Sequence, residues 1–321
     1  MVVFNNLFGF LLFQKSIIKN VAGLWQEQSG SWHLAYHPDE MQVLTELHHL
    51  FNCSGRPVQL LSPGAITASY NTVNPTGLMG GLFSSAEMIV DPRECLAKIP
   101  AYFAAKYGIN FLWGKCASFC SDQTVYVGEL EQYEADVVFI CSGADFETLY
   151  PEQFTTLPVT KCKLQMMRIR PQPGNRRVGT SLCGGLSLTH YHSFKEAPSL
   201  VNLLERYEQE MPEYLRAGIH VMMSQNGKGE LTIGDSHEYG NCFDPFDSAA
   251  INQLILSYLK TFAQLEDDTI TQSCNGIYPK LTNGESHLFL SSAPGVYLLN
   301  GLGGAGMTLS FGLAEEMVNT I

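Results

Sequence analysis

The 321-residue sequence predicts an α/β fold: a sheet with helices on both faces, joined to an α+β part built on a mostly antiparallel sheet. Three observations predict it. Asp136-Val-Val-Phe-Ile-Cys141 is apolar enough for a strand covered on both sides, the mark of a sheet flanked by helices. The C-terminal stretch gives an apolar strand at 296–299, a glycine loop and a closing helix. Between these lie strand-like runs at 163–169, 220–224 and 230–234, with Asn226-Gly227 marking a turn of the kind that joins antiparallel strands.

Residues 2–13 are apolar, but no basic residue precedes them and Asn5, Asn6 and Gly9 interrupt them, so they do not read as a secretory signal. In 31–37, Trp32, Leu34 and Tyr36 alternate with smaller or polar neighbours, which predicts a half-buried strand. A helix follows from Pro38, with Met41, Leu44 and Leu47 on one face. Asp91, Pro92 and Glu94 supply an N-cap, a proline at the first helical position and a capping-box acid, and Gly108 supplies the stop. Strands are expected at 109–113 and 124–127, ahead of the strand at 136–141. The clearest helix spans 248–265, where Ile251, Leu254, Ile255, Tyr258, Leu259 and Phe262 keep helical spacing and Asp247 is placed as N-cap.

Composition narrows the function. The 31 acidic residues against 19 Lys and Arg leave a formal charge of -12, which repels a phosphate backbone and argues against nucleic acid as a partner. The nine cysteines form no CxxC pair and are expected to be mostly reduced and buried. No run approaches a membrane span, and the default location is the cytoplasm. The pairs His33 with His37 and His48 with His49 are placed on polar faces. His190 and His192, alternate residues on an expected strand, lack a third ligand at sensible spacing, so no metal is assigned.

The most informative segment is Asn300-Gly-Leu-Gly-Gly-Ala-Gly-Met-Thr-Leu-Ser310. Gly301, Gly303 and Gly306 match GxGxxG, yet a dinucleotide fingerprint needs a helix, a second strand and an acid roughly 20 residues on. Only 15 residues follow Gly306. A strand, glycine loop and helix start still present free N–H groups and partial positive charge, which suits the electron-rich edge of a reduced flavin. Tight helix–sheet packing is the plainer explanation of the same glycines.

Together with that loop and Gly312-Leu-Ala-Glu315, three further motifs keep a familiar order from about Gly23 onward: Gly80-Gly-Leu-Phe with Val90-Asp-Pro-Arg93, Val138-Phe-Ile-Cys-Ser-Gly-Ala-Asp145, and Gly234-Asp-Ser-His-Glu-Tyr-Gly240. The chain resembles the FAD-dependent oxidoreductases of the D-amino-acid oxidase, glycine oxidase and sarcosine oxidase type, and within them a bacterial branch associated with phosphonate breakdown. The resemblance implies an incomplete Rossmann-like FAD-binding domain, 88–158 and 266–321, interleaved with a substrate domain, 1–87 and 159–265. It places the backbone of Ser142, Gly143 and Ala144 beside FAD, and main-chain atoms around Cys116 against the adenine. Gly303, Gly304, Ala305, Gly306, Met307 and Thr308 would meet the isoalloxazine ring. Relatives open with a strand, a GxGxxG loop, a helix and an acid-ended strand. Nothing upstream of Ser31 fits that pattern, so the chain is expected to lack this unit, to hold FAD weakly and to self-associate through uncovered sheet edges.

The same resemblance shapes the substrate side. Glycine oxidase relatives grip a carboxylate with arginine in a Gly-Leu-Arg-Pro turn, where this sequence has Gly276-Ile-Tyr-Pro279. A bidentate clamp is therefore missing, and Tyr278 offers one neutral hydrogen bond. Lys280, Lys163, Arg168, His237 and Tyr239 are the candidates for an anionic group, and His237, Tyr278 and Lys280 are taken as the catalytic set. The implied reaction is oxidation of a carbon–nitrogen bond in a small amine or amino acid, such as an aminophosphonate derivative, by hydride transfer to flavin. A non-catalytic remnant that binds a small anion or a protein is the alternative.

Overall fold

The computed structural model describes residues 17–321, so the apolar run at 2–13 lies outside the described part. A nine-stranded mixed sheet carries most of the core. Its axis is the 11-residue strand Val159–Ile169. Along one edge this strand pairs with Glu238–Gly240 and then Leu231–Gly234, and along the other with Ile270–Leu281. From Leu231–Gly234 the sheet continues through Met222–Gln225, Ser181–Cys183, Ser31–Ala35, Gly80–Ser84 and Val58–Leu61. Only the step from Ser181–Cys183 to Ser31–Ala35 is parallel. The alternation of a strand sends Met167, Ile169, Ile233, Met223, Leu182, Trp32 and Leu34 to one face, where all are at most 1% exposed. Leu44 and Leu47 from the helix Pro38–Cys53, with Ile255, Leu259 and Phe262 from Ala249–Phe262, share that core.

A smaller three-stranded sheet sets Leu288–Ala293 antiparallel to Val296–Asn300, which runs parallel to Val138–Ile140. The expectation of a strand covered on both faces does not hold. Val138 and Ile140 are buried with Cys120, Phe154, Val296 and Leu298, but the opposite face carries a row of rings, Phe139 to Tyr297 at 5.8 Å and Tyr297 to Phe289 at 5.5 Å. Among the described residues no strand pairs with the far edge of Val138–Ile140. A hairpin meander, Ala117–Ser121, Thr124–Val127 and Glu131–Glu134, connects to this sheet through Cys120.

Most other elements match their expected type, and the departures have local causes. Residues 109–113 form no strand: Ile109, Phe111, Leu112 and Trp113 stay exposed, and Phe111 stacks on Trp113 at 5.8 Å instead of pairing along a sheet. The helix Pro92–Tyr107 starts at Asp91 and ends at a left-handed Gly108 as read, yet Glu94 closes no capping box and pairs with Lys98 at 3.1 Å. Ser248, not Asp247, caps Ala249–Phe262, because the Asp247 carboxylate is taken by Ser273 and Asn275. Gly276-Ile-Tyr-Pro279 is no turn. It lies inside the strand Ile270–Leu281, which pairs with another strand on one side only among the described residues, and an edge strand admits a proline. All nine cysteines are free, but Cys53, Cys116, Cys141, Cys242 and Cys274 are exposed, so most are not buried. No described helix is long and apolar enough to cross a membrane.

Candidate active site

Two loops meet at the carboxyl ends of the parallel pair, the place where open α/β sheets gather ligands. After Ile140 the chain turns through Ser142 and a left-handed Gly143; after Asn300 it turns through a left-handed Gly301 into the short 3-10 turn Gly303–Ala305 and the helix Gly306–Val318. Asn300 ties them together. Only 2% exposed, its amide donates to the Gly143 carbonyl at 3.0 Å, while its own carbonyl accepts the Gly301 N–H at 2.6 Å. In the sequence Asn300 opens the glycine loop, and no role is expected of it. Its signal was an amide side chain at the end of an apolar strand, where a structural cross-link is worth most.

The loop seats against the large sheet. Leu302 bridges to Lys280, and a Cβ on Gly301 would stand 2.8 Å from Leu281, which explains the glycine. A Cβ on Gly304 would stand 3.8 Å from the Tyr278 hydroxyl. Tyr278 and Lys280 are two residues apart on Ile270–Leu281 and so share a face. Cys162 pairs with Tyr278 on one side and Tyr239 on the other, and Lys280 Nζ donates to the Tyr239 hydroxyl at 2.8 Å. Burial, with a hydrogen bond to Cys162, pushes the Tyr278 phenol well above its usual range, so it stays a neutral hydrogen-bonding group.

Beyond Tyr239 the row of rings continues into histidines. His237 stacks toward Tyr239 at 6.4 Å and toward His220 at 5.1 Å, and His190 stacks on His220 at 3.8 Å. His192 begins a 3-10 turn rather than sharing a strand with His190, so the alternate-residue pairing does not occur. Burial lowers the pKa of His237, and burial with the neighbouring His220 brings His190 down to about 2. Both are neutral near pH 7. His33 is no solvated residue either. Its ring packs edge-on to Phe194 at 5.0 Å, its Nε2 is enclosed without a partner, and burial lowers it to about 4.

The structure thus links Tyr278, Lys280, Tyr239 and His237 along one face, with Tyr278 the member beside Gly304. Lys163 and Arg168 go elsewhere. Lys163 is buried and donates to the carbonyls of Asp244 and Phe246, and Arg168 lies 3.5 Å from Glu230. On the opposite face of Ile270–Leu281, a cavity of 340 Å³ is bordered by Ala144, Lys161, Lys163, Asn275 and Ile277. A larger hollow of 640 Å³, lined by Arg176, Lys260, Glu266 and Asp268, lies at the end of Ala249–Phe262 away from both loops. Cys116 is exposed just ahead of Ala117–Ser121, with its Sγ toward the Ala117 carbonyl at 3.9 Å.

The two loops leave room for FAD. A Cβ on Gly143 or Gly303 meets nothing within 4 Å, and Gly304, Ala305, Met307 and Thr308 are exposed. The helix Gly306–Val318 starts at the same end, and the partial positive charge of a helix N-terminus suits an electron-rich ring edge.

Residues 15–320 match the model of the DAO family, described as FAD dependent oxidoreductase. A search of curated proteins finds no match. Among solved structures the chain is similar to glycine oxidase from Bacillus cereus ATCC 14579, at 13% identity and a TM-score of 0.74 over 99% of this chain and 81% of that one. It is also similar to glycine oxidase from Geobacillus kaustophilus, at 18% identity and 0.70 over 99% and 78%. A third is the reduced, FAD-bound L-alpha-glycerophosphate oxidase from Mycoplasma pneumoniae, at 15% identity and 0.72 over 97% and 78%. At such identities these likenesses speak for the fold.

Proposed function

The chain belongs to the DAO family of FAD dependent oxidoreductases, and from that premise we propose that it oxidises the carbon–nitrogen bond of a small amine carrying an anionic group. One observation carries this reading: the Lys280 ammonium, held on the Tyr239 hydroxyl at 2.8 Å, stands with Tyr278 on the same face of the strand that abuts Gly304. Bound FAD supplies the two-electron acceptor. The protein's residues orient the substrate. Lys280 meets the anion, Tyr278 adds one neutral hydrogen bond, and neutral His237 leaves the amine's proton balance to solvent.

A single compact cation suits a tetrahedral phosphonate at least as well as a planar carboxylate, which prefers a bidentate arginine. An aminophosphonate is therefore the favoured substrate class within this proposal. The edge of Val138–Ile140 that no described strand pairs, and the exposed Leu112 and Trp113, support self-association as part of the same reading. The test is anaerobic mixing of the FAD-loaded protein with a panel: glycine, sarcosine, aminoethylphosphonate, its N-methyl derivative, and glycerol 3-phosphate. Bleaching of the blue flavin band is expected with the aminophosphonates first. Bleaching by glycerol 3-phosphate alone would replace C–N with C–O oxidation. Anion binding without any bleaching would turn the assignment to a binding module.

A further inference from the structure

His190, His220 and His237 come from three separate places: the end of the 3-10 segment Gly185–Thr189, the approach to Met222–Gln225, and the approach to Glu238–Gly240. One ring nitrogen from each lies within 4.8 Å of the other two, and among the described residues no other trio of histidine, cysteine or carboxylate donors is this close. Two of the rings have their second nitrogen already engaged. His237 Nδ1 is 2.9 Å from the Gly218 carbonyl, and His220 Nε2 is 2.9 Å from Asp235 Oδ1. The latter is an electrostatic contact, misaligned for a hydrogen bond. The Gly218 carbonyl can only accept, so it holds a proton on His237 Nδ1 and leaves a bare lone pair on His237 Nε2, while the Asp235 carboxylate beside His220 Nε2 leaves His220 Nδ1 as the nitrogen turned away from it. His220 Nδ1 is enclosed and has no hydrogen-bond partner. A carbonyl or carboxylate behind the ring, with a free lone pair in front, is how proteins prepare histidine for a metal.

We propose that His190, His220 and His237 bind one divalent transition-metal cation of the zinc class. Three imidazoles suit such an ion and leave a fourth position open. Asp235 supplies the balancing charge at the back of His220. In the arrangement described, His190 and His220 stack at 3.8 Å with their planes 28° apart, and His220 and His237 at 5.1 Å and 21°, so the lone pairs do not converge until the rings rotate. Coordination turns the His190 ring out of the stack, and His190 is the least buried of the three. The site adjoins the Lys280–Tyr239 pair through His237, and its test does not depend on turnover.

The experiment is equilibrium dialysis of the full chain, stripped with chelator, against micromolar zinc chloride, with bound zinc measured by elemental analysis. About one zinc per chain is expected, and a rise in melting temperature with it. His190→Ala and His237→Ala are each expected to weaken binding by about tenfold or more. Because His220 is buried and its replacement threatens folding, the more accessible His190 carries the decision. The exposed thiols are blocked with iodoacetamide in a parallel sample, since they are a rival zinc site. Zinc retained at full strength by His190→Ala, zinc lost on thiol blocking, or no zinc bound at micromolar concentration would each overturn the proposal.

Discussion

Asp91 shows what one side chain can hold. Only 4% exposed, it accepts from the Arg93 amide as an N-cap, from the Arg93 guanidinium at 2.8 Å and from Asn226 at 3.2 Å. The hydrogen bonds from Arg93 lower its pKa to about 2, below the unfolded value near 3.8. A depressed carboxyl contributes stability that is fully present above the unfolded pKa and is lost as pH falls through the folded one, here from about 4 to about 2. Linkage puts the contribution on the order of 2 kcal/mol at neutral pH, less what solvent screens at the half-exposed Arg93. Asp91→Asn is expected to cost about 1–2 kcal/mol in urea denaturation at pH 7, with the gap to wild type narrowing below pH 4. A gap independent of pH would mean that the charge is not what matters. The cap was legible from Asp91, Pro92 and Gly108, whereas Asn226 lies 135 residues away and no local pattern announces it. Lys280 makes the matching case at the site. A hydrogen bond to a charged group is worth about 1.5–3 kcal/mol, so Lys280→Met is expected to raise KM for an anionic amine on the order of tenfold to a hundredfold. kcat should hold, and an uncharged amine should show no such change. A loss confined to kcat would remove Lys280 from anion binding.

At the scale of elements, the glycine loop separates two roles that the sequence could not tell apart. Gly301 is needed by the fold: its φ is 74°, and a Cβ there would collide with Leu281. Gly301→Ala is expected to destabilise by roughly 1–3 kcal/mol. Gly306 is not needed in that way, since its φ is −53° and a Cβ would meet only Leu302 at an ordinary 3.7 Å. Gly306→Val should therefore melt within a few degrees of wild type and keep its helical circular dichroism, yet lose most of its bound FAD through bulk facing the ring. Full FAD occupancy in Gly306→Val would take this turn out of the cofactor site. The elements themselves were largely legible because periodicity and caps are local, as in Pro92–Tyr107 and Ala249–Phe262. What failed depends on partners. Residues 109–113 have a strand's composition without a described neighbour to pair with, and Asp247 loses its cap position because Ser273 and Asn275 reach it first.

For the whole molecule, stability and cofactor binding fall on different bodies of packing. The core beneath the nine-stranded sheet gathers thirty-three buried described residues, while the one joining Val138–Ile140 to Val296–Asn300 gathers six. Burial of apolar area is the main favourable term in folding, so the small sheet should open locally well before the large one. Yet it is the small sheet whose carboxyl ends carry Gly143, Asn300 and the glycine loop. The sequence marked both loops but not this imbalance, because the strand 296–300 pairs with 138–140 only after the chain has passed through the larger sheet. FAD bound to the folded form alone should close the gap, by about 2.7 kcal/mol when its concentration is a hundred times its Kd. Hydrogen exchange followed by mass spectrometry tests this directly. Without FAD, peptides covering 138–140 and 296–300 should exchange much faster than those covering 159–169 and 231–234. With FAD they should slow selectively, because only the ligand-bearing sheet gains from its presence. Uniform protection before FAD would show that the two sheets unfold as one unit. Protection gained by the large sheet instead would move the cofactor away from the Gly143 and Gly303 loops.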